Sequence, residues 1–115
     1  MNLIEKGEKV HIVYRATYEG SARMQFIGDV EAVSGSICRI KGYLYTFHQL
    51  TGSFSRKPEI RVTVVDLAES GTVVNIIDRS VVPQDIVYEV IDGEGLTIHD
   101  GKNFSLNISE FATTN

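Results

Sequence analysis

Three histidines, one cysteine and a run of cations and aromatics are the residues whose chemistry reaches beyond packing. His11, His48 and His99 stand far apart in the chain, and no His-Glu-x-x-His, Walker loop, dinucleotide fingerprint or nucleophile elbow accompanies them. An imidazole titrates near neutrality, so an inward histidine at a strand end can act as an acid or a base. His48 holds such a position, whereas His11 and His99 fall on outward ones. Cys38 is the single cysteine, which excludes an internal disulfide and every multi-cysteine zinc pattern. It falls on an inward position and reads as a small core hydrophobe. The acids Glu69, Asp78, Asp85, Asp92, Glu94 and Asp100 sit at turns, where carboxylates build turns; glycoside chemistry would need a pair converging in a cleft. No catalytic residue, metal site or cofactor is implied, and the chain reads as non-enzymatic.

The cations and aromatics are more distinctive. Ile37, Arg39, Lys41, Tyr43, Tyr45 and Phe47 alternate along one outward strand face. Tyr and Phe are enriched in subunit interfaces, so one reading is a homo-oligomer, a dimer by preference, joined through this face. The other is a stacking platform for single-stranded nucleic acid, extended by Arg56 and Lys57 from the following loop. A net charge of −4 disfavours the second, as do carboxylates placed opposite Arg39 and Lys41 and the burial of the aromatics that any two-sheet packing would bring. A third possibility lies at a barrel mouth. Thr46 and His48, with Tyr18 and Met24 beside them and Arg56 and Lys57 above, would suit a small anionic or amphiphilic ligand.

These side chains are positioned by a hairpin, residues 24–50, folded about Ser34-Gly35-Ser36. With those three residues as the loop, Val33 faces Ile37. Glu31 then meets Arg39 and Asp29 meets Lys41 on one side, while Ala32 meets Cys38, Val30 meets Ile40 and Phe26 meets Leu44 on the other. A two-residue loop would slip the pairing and mix the faces. Upstream, residues 9–18 alternate as a half-buried strand. Pairing Tyr18 with Met24 sets Ile12 against Val30 and produces a row of Tyr14, Gly28 and Gly42. Glycines inside strands mark bends or close approaches, and this row reads as the place where the sheet coils.

Residues 49–59 form a long polar surface connection. Residues 60–66 and 72–78 make a second hairpin, with Asp66 opposite Thr72 and Ile60, Val62 and Val64 inward. Residues 79–85 are either an extended crossing or one helical turn opened by Pro83. Residues 86–91 follow with Ile86, Tyr88 and Val90 inward. A three-residue turn at Asp92-Gly93-Glu94 comes next, then a closing hairpin in which Ile98 faces Phe104 and Leu96 faces Leu106. The count is about eight antiparallel strands in a meander, all-β, closing into a small barrel; a two-layer sandwich is the alternative. The 115 residues make one domain, 1–115, with a loose arm over 1–8 and a frayed tail over 112–115.

Charge divides unevenly. Through Arg61 there are nine Lys/Arg and six Asp/Glu, a balance of +3; the remainder has two and nine, a balance of −7. The polarity fits either solvation or a basic and an acidic face that attract. The first residues lack a signal-peptide pattern, and no apolar run is long enough to span a membrane, so the expected location is cytoplasmic. The runs FIGDVEAVSGSICRIKGYLYTF and HDGKNFSLNISEF resemble a group of small bacterial all-β proteins, some carried on integron or other mobile gene cassettes. That resemblance implies a bacterial cytoplasmic protein and carries over no functional residue.

Overall fold

The computed structural model describes residues 3–14, 24–48, 53–68 and 72–109, with backbone only at His48 and Ser53. Within them lie nine strands and one 3₁₀ turn. The larger sheet contains β1 (Lys9–Tyr14), β2 (Met24–Ser34), β3 (Ile37–His48), β4 (Ser53–Arg56), β5 (Arg61–Asp66) and β6 (Thr72–Ile77). Its path is β4-β3-β2-β1-β6, and β5 also pairs with β3. The smaller sheet is β7 (Val87–Ile91), β8 (Gly95–His99) and β9 (Ser105–Asn107), in that order. All ladders are antiparallel, so the all-β expectation holds.

β3 is the organising strand. One edge carries β2 over residues 37–46. The other is shared, β5 pairing with residues 37–42 and β4 with residues 45–48. The long polar connection thus contains a strand the sequence did not announce: Phe54 is buried opposite Phe47.

The β2–β3 hairpin keeps its expected lower half: Phe26 with Leu44, Gly28 with Gly42, Asp29 with Lys41 and Val30 with Ile40. Its tip differs. Ser34 pairs with Ile37, leaving Gly35-Ser36 as a two-residue loop, and Gly35 takes φ +60° while Ser36 stays at negative φ. That is the II′ pattern matching the twist of paired strands. The slip expected from a two-residue loop is absorbed by a bulge at Glu31, between Val30 and Ala32, and a bulge restores the faces by inserting one unpaired residue.

Three other registers are corrected. β1 pairs four residues earlier than expected, Tyr14 with Met24 and Ile12 with Phe26, so the glycine row is Val10, Gly28 and Gly42. A shift of four preserves the faces. A Cβ on Gly28 would collide with the Lys41 carbonyl, and one on Gly42 with the Ile27 carbonyl, so close backbone approach requires both glycines. The Asp66–Thr72 hairpin does not form: β6 pairs with β1, and β5 pairs with β3 as Cys38–Val65 and Ile40–Thr63. That register commits the odd positions of β5 to the inner face, leaving Val62 and Val64 outside. In the closing hairpin Ile98 meets Leu106, not Phe104.

Two cores result. Ile27, Tyr45, Phe54 and Ile77 of the larger sheet pack against Ile86, Leu96, Ile98 and Ile108, with Tyr88, Phe104 and Leu106 around them. This is a sandwich contact between the sheets. Val10, Ile12, Phe26, Val30, Cys38, Ile40 and Val65 form the second core, on the opposite face of the larger sheet. That sheet does not close into a barrel: among the described residues β5 and β6 each pair on one edge. Within the segment expected as a loose arm, the end next to β1 is bonded to β2, Gly7 N–H donating to the Val30 carbonyl and Val30 N–H to the Glu8 carbonyl, both at 2.8 Å. Pro83–Asp85 is the proline-opened turn.

Candidate functional site

The odd-numbered face of β3 is divided in two by the smaller sheet. Its first half is uncovered. Arg39 and Lys41 are exposed, Ile37 is 47% exposed, and their β5 neighbours Val62 and Val64 are 55% and 62% exposed. Its second half is covered. Tyr45 is only 2% exposed, its ring 4.5 Å from that of Tyr88 and its hydroxyl donating to the Ile86 carbonyl at 3.1 Å. Burial pushes the Tyr45 phenol up to about 12 and that of Tyr88 well above its ordinary value, because an ionised phenolate loses its hydration there. Tyr43 and Phe47 are half-buried against the same core.

The expected aromatic platform is therefore corrected. Tyr43, Tyr45 and Phe47 serve the contact between this chain's own sheets, and Tyr45 has no free face for a base or a partner subunit. The carboxylate partners of the cations also differ. Asp29 is opposite Lys41 in register, but its ion pair is with Lys9 on the other neighbouring strand. Glu31 is the bulged residue, and Ala32 takes its place opposite Arg39. Arg39 and Lys41 have no ion pair among the described residues.

The barrel-mouth grouping is divided as well. Met24 and Thr46 are cross-strand partners, both half-buried. Arg56 pairs with Tyr45, one residue over, so it lies on the opposite face; its guanidinium sits 4.6 Å from the Tyr43 ring centroid. Lys57 is exposed past the end of β4. His48 pairs with Ser53 through its backbone, and Tyr18 lies outside the described residues. Arg56 cannot join Met24 and Thr46 around one ligand.

His11 was expected outward and is instead fully buried. Its Nε2 lies 2.6 Å from Gln25 Oε1, Tyr88 Oη donates to that same oxygen at 2.7 Å, and Asn75 Nδ2 lies 3.1 Å from His11 Nδ1. An oxygen accepting from both sides calls for the Nε2–H tautomer, with Nδ1 accepting from Asn75. The group is a polar link between the sheets. The near-continuous apolar run VHIVY was the available signal, since a strand buried on both faces loses its alternation. His99 is outward and bonded to Glu89 at 2.7 Å.

Cys38 is buried, which pushes its thiol up and away from reactivity. Asp66, Asp78 and Asp100 are held below the usual carboxylate range by hydrogen bonds, chiefly from Ala68 N–H, the Ser80 hydroxyl and Lys102 N–H respectively. They act as turn formers. Among the described residues no group of three or more His, Cys, Asp or Glu is placed to hold a metal ion, and no helix is long and apolar enough to cross a membrane. Comparison with protein families, curated proteins and solved structures finds no match to this chain.

Proposed function

We propose that the protein is a non-enzymatic interaction module that self-associates, as a dimer by preference, through the uncovered half of the β3–β5 face. One observation carries this reading: Ile37, Val62 and Val64 are each about half exposed or more on contiguous paired strands, and β5 pairs on one edge only among the described residues. An exposed apolar edge strand is a template for pairing with another chain, and contiguous apolar patches mark interaction sites. Asp66 ends the β5 row whose neighbours on β3 include Lys41, so the patch carries both signs and complements a copy of itself turned about a two-fold axis. The bacterial cytoplasmic setting implied by the resemblance belongs to the same proposal.

Sedimentation of the full chain tests it. The wild type should sediment as a dimer at micromolar concentration, and Val64→Lys, a change at an exposed position, as a monomer with an unaltered circular dichroism spectrum. A monomeric wild type overturns the reading. Arg39 and Lys41, which have no ion pair among the described residues, favour one alternative, binding of single-stranded nucleic acid on the same half-face. Its mark would be oligonucleotide affinity falling steeply with salt and reduced by Lys41→Gln.

A further inference from the structure

The chain holds two Asp-Gly steps, Asp92-Gly93 and Asp100-Gly101, and the fold treats them oppositely. At such a step the glycine nitrogen can attack the aspartate side chain, because the glycine has no Cβ to hinder the approach. The reaction needs a carboxyl not bound through its ionised form and an amide nitrogen not committed to an acceptor. Asp100-Gly101 meets neither condition. Asp100 Oδ1 accepts from the Lys102 N–H at 2.9 Å and the Phe104 N–H at 3.1 Å, and the Gly101 N–H donates to His99 Nδ1 at 3.1 Å. The bonds to its oxygen favour the ionised form of Asp100, which is a poor electrophile. Asp92-Gly93 meets both conditions. It occupies the centre of the turn between β7 and β8, which Glu94 N–H closes by donating to the Ile91 carbonyl at 2.9 Å. Gly93 takes φ +83° and Asp92 a negative φ, the type II pattern. Both residues are exposed, and nothing lies within 4 Å of where a Gly93 Cβ would stand. Neither the Asp92 carboxylate nor the Gly93 N–H has a hydrogen-bond partner among the described residues.

We propose that Asp92 is a site of spontaneous isomerisation to isoaspartate and that the fold protects Asp100 from the same reaction. The Gly93 nitrogen bonds to Asp92 Cγ while the Cγ–OH bond breaks, and the hydroxyl leaves with the amide proton as water. Water then adds to either carbonyl of the resulting succinimide ring. Opening at Cγ restores aspartate. Opening at the main-chain carbonyl carbon gives isoaspartate, with the backbone routed through Cβ and Cγ and no change in mass. The product lies in the turn that sets Ile91 opposite Gly95, at the end of the hairpin that brings Tyr88, Leu96 and Ile98 to the contact between sheets. The site is separate from the β3–β5 face and does not depend on self-association.

The test is prolonged incubation of the full chain at neutral pH and body temperature, followed by peptide mapping with electron-transfer fragmentation, which distinguishes isoaspartate from aspartate at equal mass. In the folded protein isoaspartate should accumulate at residue 92 about tenfold or more faster than at residue 100, where hydrogen bonds to a charged group must first break. In urea concentrated enough to unfold the chain the two rates should converge, because both sites are then plain Asp-Gly steps. Asp92→Glu, whose longer side chain would have to close a larger ring, should abolish the reaction at residue 92 and leave the circular dichroism spectrum unaltered. No isoaspartate at residue 92, comparable rates at the two sites in the folded protein, the same ratio of rates in urea as in the folded state, or an undiminished reaction in Asp92→Glu overturns the assignment.

Discussion

Gln25 is the residue on which the contact between sheets most depends. Its Oε1 accepts from both His11 and Tyr88, one from its own sheet and one from the other, and the residue itself is 1% exposed. Replacing it by leucine keeps the volume and removes the acceptor that both buried side chains share. An orphaned buried donor costs about 1–3 kcal/mol, so Gln25→Leu should lower unfolding free energy by about 2–5 kcal/mol. Tyr88→Phe removes a donor and leaves Gln25 still bonded to His11, a loss of about 1 kcal/mol. Urea denaturation of the two variants measures the order. Equal effects would show that His11 and Tyr88 do not share the one oxygen.

At the scale of the element, the β2–β3 hairpin depends on its glycines for two different reasons. Gly42 has ordinary extended backbone, and its need is space, since a Cβ would run into the Ile27 carbonyl and the Gly28 Cα. Gly35 has open space around it, and its need is the positive φ of the turn. A left-handed conformation costs an L-residue about 1–2 kcal/mol, whereas moving a central backbone ladder disturbs every contact along it. Gly35→Ala should therefore cost about 1 kcal/mol, and Gly42→Ala more than about 3 kcal/mol or the fold itself. Chemical denaturation of the pair decides. A mild Gly42→Ala would mean that β2 and β3 do not approach as closely as Gly28 and Gly42 place them.

The whole molecule has a pH window set from both ends. Asp66, Asp78 and Asp100 are held low by hydrogen bonds made in the folded state. Such groups contribute stability that is complete above the unfolded carboxylate value, about 3.9, and that is lost as pH falls through the lowered folded values. Asp66 matters most for architecture, because it accepts from Ser36 at the tip of the β2–β3 hairpin at 2.9 Å. At the alkaline end burial raises Tyr45 to about 12 and Tyr88 well above its ordinary value. Their contribution is full below about pH 10, the unfolded tyrosine value, and is lost as pH climbs toward the raised values. Phenolate absorbance and circular dichroism should show the last tyrosines ionising together with loss of the fold. Full ionisation of all five tyrosines near pH 10 in an intact protein would contradict the burial of Tyr45 and Tyr88.

Local chemistry alone determined much of this protein. Alternation along residues 9–14, 24–34 and 37–48, the charge match of Asp29 with Lys41 and the paired glycines 28 and 42 specify antiparallel strands, their neighbours and most of one register, because cross-strand pairs are adjacent and their period is two. The tertiary structure alone decided which face is buried by what. The sequence places Tyr45 on an outward face, and it is outward from the inner core, but a distant segment, residues 86–108, covers it. Val62 and Val64 carry the same apolar signal as Val65, and only the pairing of β5 with β3 instead of β6 leaves them exposed. His11 reads as an outward residue until Tyr88 arrives from the other sheet to share its hydrogen-bond partner Gln25. Pairing between strands far apart in sequence is set by competition for edges across the whole molecule, and no local pattern records which edge wins.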